Sequence, residues 1–403
     1  MRIVFLNPTG SPGGGERSLL DLIASLRDCN ASIEPHLIAC EHGPLAAAAS
    51  REGATVHVLP MPDVLLRLGD HSGGAGAGAR QRIVALGHAA RAGVAALRFA
   101  RRLRDAVAAA RPDVVHSNGM KTHVLSGLAP PVGVPLVWHV RDFPSARAAS
   151  HLLLRRAARC RPAVIAVSRA VAEDVRSVLR DDAVTIHVIP NGIDTHHFSP
   201  APSPANVADR ELCVGLVATY ARWKGHDLFL DAARIVRGRA PHARVRFCII
   251  GGPIYHTSGS QVSREELLQL VARHALGDAV EFIPFQDDPV AAYRALDVIV
   301  HASTRPEPFG RTIAEAMSCG RAVVVSNEGG AAELIRDGHD ALAFRPRDAN
   351  ALADAILRLL DDAPLRARLG AAARRAAVDR FDRKRLGGAV LEVYRRLTNS
   401  LSA

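Results

Sequence analysis

The densest chemistry in this chain lies in Ser303-Thr-Arg-Pro-Glu307-Pro308-Phe309-Gly310-Arg-Thr-Ile-Ala-Glu315-Ala316-Met-Ser-Cys-Gly320. Pro306 and Pro308 stiffen the loop that presents Glu307, because each ring fixes its own φ. The backbone N–H groups of Phe309, Gly310 and Arg311 stand where a helix is expected to open, and a helix N-terminus is a ready anion site. Glu315 falls in the second turn of that helix. A carboxylate can accept hydrogen bonds from neighbouring sugar hydroxyls. Either glutamate alone reads as an ordinary exposed charge; the string as a whole does not.

Other residues stand out by type and position. Lysine occurs only at Lys121, Lys224 and Lys384. That scarcity singles out Lys224, which shares Thr219-Tyr-Ala-Arg222-Trp223-Lys224-Gly225-His226 with Arg222, directly after an apolar run. In the first half, Val137-Trp138-His139-Val-Arg141-Asp142 closes another apolar run, and His116-Ser-Asn118-Gly119 closes the one before it. A neutral imidazole at such a strand end can hydrogen-bond a hydroxyl. Gly13-Gly14-Gly15 follows the first strand and lets backbone approach a ligand. Gly13-x-Gly15-x-x-Ser18, with Glu41 after the next strand, approaches a dinucleotide fingerprint. The third glycine is missing and Pro12 crowds the turn, so a dehydrogenase is a poor fit. Gly251-Gly252-Pro253 follows a further strand and is expected to approach a nucleotide.

These residues need elements that carry them. Short Val- and Ile-rich runs bounded by Gly, Pro or polar residues predict strands at Arg2–Leu6, Pro35–Ala39, Thr55–Leu59, Asp113–Ser117, Pro135–Val140, Ala163–Ser168 and Val184–Ile189. Helical patterns fill the gaps. Phe198-Ser-Pro-Ala-Pro-Ser-Pro-Ala reads as a Pro-rich linker. The alternation then restarts, with strands at Leu212–Ala218, Arg244–Ile250, Ala279–Pro284, Val298–His301, Ala322–Val325 and Ala341–Phe344. Two successive α/β units with parallel, doubly wound sheets follow. Ligands of such sheets bind beyond the carboxyl ends of the strands, so a central cleft faced by both units is the expected site.

Composition sets the bounds. With 403 residues, two domains are expected, since single cores stop growing near about 250–300 residues. The hydrophobic share of 48% and charged share of 23% are globular values and exclude wholesale disorder. Cys29, Cys40, Cys160, Cys213, Cys248 and Cys319 lack CxxC spacing, which offers neither a zinc site nor a disulfide framework. Cys40, Cys213 and Cys248 sit in apolar runs and read as buried thiols. The opening apolar run breaks at Pro8, too early for a signal peptide, and no run of about 20 apolar residues predicts a membrane span. A cytoplasmic protein fits this pattern. The net charge of +11 suits nucleic acid, an anionic membrane or phosphorylated substrates. Residues 69–79 read as a Gly- and Ala-rich loop. Arg80 to Arg111 then carries eight arginines against Asp105. Ile83, Leu86, Ala90, Val94 and Leu97 repeat there at helical spacing, which is either a solvated helix or a basic amphipathic surface.

Glu307-x7-Glu315 with Pro308-Phe309-Gly310 after the first acid resembles the signature of glycosyltransferase family 4, retaining enzymes of the GT-B fold. Val323-Val-Val-Ser-Asn-Glu-Gly329-Gly330-Ala-Ala-Glu333 is similar to the family's next strand and glycine loop. Ile189-Pro190-Asn191-Gly192-Ile193-Asp194 with Phe198 is similar to the end of its first domain, and Met1-Arg-Ile-Val with Gly13-Gly14-Gly15-Glu16-Arg17 to its first strand and loop. The resemblance implies an acceptor-binding Rossmann-like domain over residues 1–198, a nucleotide-sugar-binding one over 199–378, and a last helix over 379–403 that crosses back to the first.

The same resemblance implies roles. Glu307 would contact the donor sugar near its reacting carbon, and Glu315 would hold the ribose hydroxyls. The Phe309–Gly310 backbone would face sugar and diphosphate, with Gly14, Gly15 and Gly252 also on the donor side. Lys224 would neutralise the leaving diphosphate, whose charge grows as the glycosidic bond breaks. The arginine that the family pairs with it falls on Thr219, leaving two alternatives: Arg222 reaches in from the loop, or the contact is absent. His139 would lie near the donor sugar, with Asn118, Arg141 and Asp142 on the acceptor side. The backbone of Ile283–Phe285 would hold the base, leaving uracil and guanine undistinguished. The implied reaction is transfer of a hexose from a nucleotide-diphosphate sugar to a glycan or polyprenyl-diphosphate-linked acceptor, with retention, in cell-surface glycan synthesis. The leaving diphosphate would assist deprotonation of the acceptor, so hydrolase-type paired carboxylates are not required. No Asp-x-Asp stands in a suitable loop, so neither a metal nor another cofactor is expected. The partners expected are the nucleotide sugar, that acceptor and an anionic membrane surface on the inner face, not nucleic acid. Two rivals differ in kind: a GT-B nucleotide-sugar epimerase, separated by product analysis, and a non-catalytic sugar-nucleotide-binding partner subunit, which would bind without turnover.

Overall fold

The computed structural model describes residues 1–11, 13–66, 79–147, 150–201, 210–253 and 260–402, with backbone alone over 79–91 and 401–402. Much of the expected Gly-rich loop, Pro12, most of the Pro-rich linker and the side chains of Ile83, Leu86 and Ala90 lie outside the described residues. The chain divides into one unit of Met1–Gly192 with Lys384–Ala403 and a second of Ile193–Arg383.

The first unit holds strands β1 (Arg2–Asn7), β2 (Glu34–Ala39), β3 (Thr55–Val58), β4 (Val114–Ser117), β5 (Leu136–Val140), β6 (Ala163–Ala166) and β7 (Ile186–Val188). They form a parallel sheet in the order β3-β2-β1-β4-β5-β6-β7. Strands β4, β5 and β6 are buried end to end, which is why they show no polar alternation; only His116 and Ser117 of β4 and His139 of β5 are polar, and these too are buried. Order reverses between β1 and β4, so their carboxyl ends open the crevice where ligands of open α/β sheets bind.

The second unit holds β8 (Leu212–Val217), β9 (Val245–Ile250), β10 (Val280–Ile283), β11 (Val298–His301), β12 (Ala322–Ser326) and β13 (Leu342–Phe344). Its parallel order is β10-β9-β8-β11-β12-β13, with the reversal between β8 and β11. Each apolar run expected as a strand is one, within a residue or two at the ends. Phe198, the expected end of the first domain, belongs to the second unit, where its ring meets Tyr293 edge-on at 5.0–6.0 Å together with that of His197.

The final helix, Arg383–Ser402, places Leu386, Val390, Leu391, Val393 and Tyr394 in the first unit's core beside Ile3, Phe5, Leu19 and Leu22. Gly387 permits the close approach: a Cβ there would sit 2.5 Å from the Ser25 carbonyl of the first helix, Gly14–Cys29. The helix Ala79–Ala109 buries Ala92, Phe99, Ala100, Leu103 and Val107. Val94 and Leu97 of the expected apolar stripe lie on the opposite, exposed side with Arg98, Arg101, Arg102 and Arg104. Phe99, Leu103 and Val107 outcompete them for the core because they offer the larger continuous stripe. Among the described residues no helix is long and apolar enough to cross a membrane.

Candidate active site

In the second unit, three loops after strand ends converge. The turn Arg222–Lys224 follows β8, and its Trp223 carbonyl accepts from the Thr304 N–H at 2.8 Å, tying it to the loop after β11. Gly225 ends the turn at φ +75°, and any Cβ there would collide with the Ala302 carbonyl. Lys224 is thereby delivered to Glu307: Nζ donates to Oε2 at 2.7 Å, and both side chains are largely buried. Ser303 Oγ donates to the same oxygen at 3.1 Å, and His301 Nε2 lies 3.3 Å from it. Burial would raise the Glu307 pKa, but the Lys224 charge and the hydrogen bonds from His301 and Lys224 outweigh it and hold the carboxyl far below its ordinary range. Glu307 is therefore a fixed carboxylate.

The glycine loop after β12 completes the support. Gly330 N–H donates to the Glu307 carbonyl at 2.7 Å, and Gly329 lies at φ +66°, where a Cβ would stand 2.8 Å from that same oxygen. Gly310 caps the helix Arg311–Ser318 at φ +95°, as only glycine does without strain. Phe309 turns its ring inward onto Phe381, at 5.9 Å between centroids, which leaves its backbone as the part available to a ligand. Glu315 is buried, and both its oxygens are engaged: Arg311 Nε donates to Oε1 at 2.6 Å and Tyr293 Oη to Oε2 at 2.8 Å. Gly252 follows β9 and its carbonyl accepts from Tyr220 N–H at 3.0 Å. Phe285 lies near it, with 3.5 Å from its Cβ to a Cβ placed on Gly252. Arg222 is not gathered with Lys224. It is exposed and forms a two-pronged pair with Glu266, at 2.9 and 3.1 Å. Glu266 is held in turn by the Ser263 N–H at 2.8 Å at the start of helix Arg264–Arg273.

In the first unit a buried polar cluster occupies the β1/β4/β5 strand ends. Asn118 Nδ2 donates to Asn7 Oδ1 at 2.8 Å, and Asn118 Oδ1 accepts from Arg141 Nε at 2.7 Å. Arg141 also donates to Asn191, from the segment that ends this unit, and its Nη2 lies 3.2 Å from His139 Nδ1. His139 meets His116, which meets Tyr394. Burial first, and the Arg141 charge second, push both imidazoles well below the ordinary value of 6.5, so both are neutral. Asp142 stands apart: it is exposed, 3.8 Å from Arg147. Gly14 and Gly15 open the first helix. A Cβ on Gly14 would meet nothing within 4 Å, and one on Gly15 only Arg141 Cδ at 3.8 Å, so packing does not require either glycine. Gly10 and Gly119 are the ones packing requires, against the His42 carbonyl and Pro8.

Sequence reasoning brought Lys224 and Glu307 together and marked His139, Arg141 and Asn118. It missed His301, Ser303 and Tyr293 as supports of the two glutamates, and Tyr394 as a support of the histidines. Ser303 lay inside the quoted motif; His301 was read only as the end of a strand. Among the described residues no group of His, Cys, Asp and Glu is placed to hold a metal ion.

Comparison with known proteins bears on the family and the fold. A model described as Glycosyltransferase Family 4 matches residues 12–197, and one described as Glycosyl transferases group 1 matches residues 202–376. A D-inositol 3-phosphate glycosyltransferase of Salinispora arenicola is 31% identical over 247 residues, 57% of this chain and 54% of that protein. Its counterpart in Stackebrandtia nassauensis is 32% identical over 221 residues, 52% and 49% respectively. The chain thus spans about half the length of the curated relatives it matches. Among solved structures, Anabaena HepE in complex with UDP and glucose superposes with a TM-score of 0.78 at 25% identity, covering 98% of this chain and 99% of that one. Sucrose-phosphate synthase from Thermosynechococcus elongatus shares the fold, with a TM-score of 0.74 at 19% identity over 99% of this chain and all of that one. The fold is GT-B, built of two parallel-sheet α/β domains.

Proposed function

We propose that this chain, which belongs to glycosyltransferase family 4, transfers a hexose from a nucleoside-diphosphate sugar to an acceptor hydroxyl, with retention at the anomeric carbon. The observation that carries this reading is the Lys224–Glu307 pair at 2.7 Å, beside a helix N-terminus that opens at Gly310 and carries a buried Glu315. Lys224 and the backbone N–H groups of that helix are the positive charge for a departing diphosphate. Glu307 is the carboxylate at the sugar, and Glu315 the acceptor of ribose hydroxyl protons, with two of its lone pairs already used by Arg311 and Tyr293. HepE, similar over its whole length, was crystallised with UDP and glucose, which favours a UDP-sugar donor. The D-inositol 3-phosphate glycosyltransferases favour a polar acceptor that itself bears phosphate. The leaving diphosphate takes the acceptor's proton, and no metal or other cofactor takes part.

A glycan or polyprenyl-diphosphate-linked acceptor at the inner membrane face remains the acceptor class we favour. Exposed Val94 and Leu97 among exposed Arg98, Arg101, Arg102 and Arg104 support peripheral contact with an anionic surface. Binding to vesicles of anionic lipid should be lost when these four arginines are replaced by glutamine; unchanged binding removes the membrane from the proposal.

The deciding experiment is calorimetry with UDP and GDP on the wild type, Glu315→Ala and Glu315→Gln. Binding of one nucleotide, weakened in both variants, is expected; the Gln variant keeps the packing should the Ala variant fail to fold. One observation favours a second reading, a non-catalytic partner subunit: Arg222 is paired with Glu266 and not gathered with Lys224. Nucleotide binding without consumption of UDP-sugar in the presence of a lipid-linked glycan would move that reading to the front.

A further inference from the structure

We propose that His139 is locked as the tautomer with its proton on Nε2, a hydrogen-bond donor to a ligand oxygen and not a base, and that Arg141, His116 and Tyr394 are the positioning residues that lock it. The identity of the ligand rests on the sugar-transfer reading; the lock does not.

The lock follows from which atoms can donate. A guanidinium only donates. Arg141 Nη2 lies 3.2 Å from His139 Nδ1, so that nitrogen must present its lone pair. His116 Nε2 lies 3.2 Å from the same atom, and two facing lone pairs would repel, so His116 carries its proton on Nε2 and shares it there. His116 Nδ1 is then an acceptor, and the Tyr394 hydroxyl, 2.7 Å away, donates to it. Arg141 is itself fixed by Asn118 at 2.7 Å and by Asn191. The donor-only guanidinium at one end thus fixes the sense of every hydrogen bond in the row, and the Tyr394 hydroxyl at the other end takes the donor role left to it. All of these residues lie in the first unit, with Tyr394 supplied by the final helix.

The groups that face His139 are Arg141, His116 and His123. His123 stacks on Trp138 at 5.5 Å and is held by Ser117 at 2.8 Å. None of these three is a carboxylate, and burial with the Arg141 charge keeps the ring neutral. The remaining proton, on Nε2, is buried and has no partner among the described residues. Trp138 Nε1 beside it is likewise a buried donor with no partner among the described residues, but the His139 donor ends a row whose other polar atoms are paired, and a ligand's acceptor oxygen would satisfy it. For a sugar, that oxygen is a hydroxyl or ring oxygen. His139 then orients the sugar and takes no proton from the acceptor.

The test reads the tautomer directly. In protein labelled with ¹⁵N-histidine, two-bond ¹H–¹⁵N spectra distinguish Nδ1–H from Nε2–H, and His139→Gln and His116→Gln assign the signals. Nε2–H is expected for both rings, with no titration between about pH 5 and 8, the range of an ordinary histidine. An Nδ1–H signal for His139, or titration in that range, overturns the proposal. Tyr394→Phe should leave both signals on Nε2, since Arg141 still holds His139 and the His139 Nδ1 lone pair still holds His116. Arg141→Met should release His139 to a mixture of tautomers. If either variant fails to fold, the wild-type spectrum alone still decides. In transfer assays His139→Leu should lower kcat by about tenfold or more, the scale of one lost hydrogen bond, and His139→Gln, whose amide can still donate, should lower it less. A flat acid limb of kcat that persists in His139→Gln fits a donor; a limb that vanishes with the imidazole marks a base and refutes the proposal. Should the protein bind neither UDP nor GDP, the sugar-transfer reading fails while the spectra still judge the lock.

Discussion

Replacing Lys224 by methionine tests the centre of the second unit. The pair it forms with Glu307 is 18% and 11% exposed at the two side chains. Removing one partner of a buried ion pair costs about 3–5 kcal/mol, because the other charge stays buried. Here His301 and Ser303 remain on Glu307 Oε2, which places the expected loss at the lower end, about 3 kcal/mol. For a domain of this size that lowers the melting temperature by about 6–12 °C. The pH dependence follows from the sign of the Glu307 shift, which is downward. A depressed carboxyl contributes stability that is fully present above its unfolded value, about 4.3, and is lost as pH falls through the folded value below it. In Lys224→Met that depression is reduced, so the variant's deficit is constant from neutrality to about pH 4 and shrinks only as pH falls below that, toward the wild type's depressed value. Calorimetric melts across that range, with hydrogen exchange over residues 298–318 to localise the change, provide the measurement. The double variant Lys224→Met/Glu307→Gln should recover most of the loss. A deficit below about 1 kcal/mol that does not vary with pH would show a solvated pair, and the account of Glu307 as a fixed carboxylate would fall.

Three further outcomes are expected. Gly329→Ala forces a Cβ to within 2.8 Å of the Glu307 carbonyl at φ +66°, so melting should reveal a loss of about 1–3 kcal/mol together with weaker nucleotide binding; full retention of both would mean that the loop does not hold Glu307. Tyr293→Phe removes one of the two donors on Glu315 and should cost about 1–3 kcal/mol in denaturant titration, again with reduced nucleotide affinity, whereas unchanged affinity would separate Glu315 from the ribose. Arg222→Ala should leave both melting and nucleotide affinity unchanged, since its partner Glu266 is exposed; binding weakened about tenfold would mean the guanidinium leaves Glu266 for the phosphates.

Strand positions were legible because parallel strands buried on both faces are mostly apolar: β6 is so throughout, and β4 and β5 depart from it only at His116, Ser117 and His139 near their carboxyl ends. The glutamates were legible because Pro306, Pro308, Gly310 and the helix that follows them form one contiguous string. Tyr394 was not, since 278 residues separate it from His116 and only packing of the final helix joins them. The Gly13–Gly15 loop drew more weight than packing gives it. Gly10, which stands against the His42 carbonyl, carries the steric constraint, and nothing in its neighbours announces that. Arg222 misled in another way: its distance in sequence from Lys224 is two residues, yet the turn directs the two side chains to different carboxylates.

In each unit a histidine at or beside a strand end has its proton placed by a neighbour that can act in only one sense. Arg141 can only donate, so His139 Nδ1 accepts and Nε2 keeps the proton. The Glu307 carboxylate can only accept, so His301 Nε2 donates to it. His301 ends β11, which flanks the point where its sheet's order reverses, and His139 stands on β5, one strand from the reversal between β1 and β4. Burial alone would leave either imidazole free to exchange tautomers at little cost. Pairing each with a group of fixed sense removes that freedom, so hydrogen-bond polarity at both strand ends is set before any ligand arrives. Such preorganisation favours a reaction in which charge develops on a departing group, because the dipoles need not turn as the bond breaks.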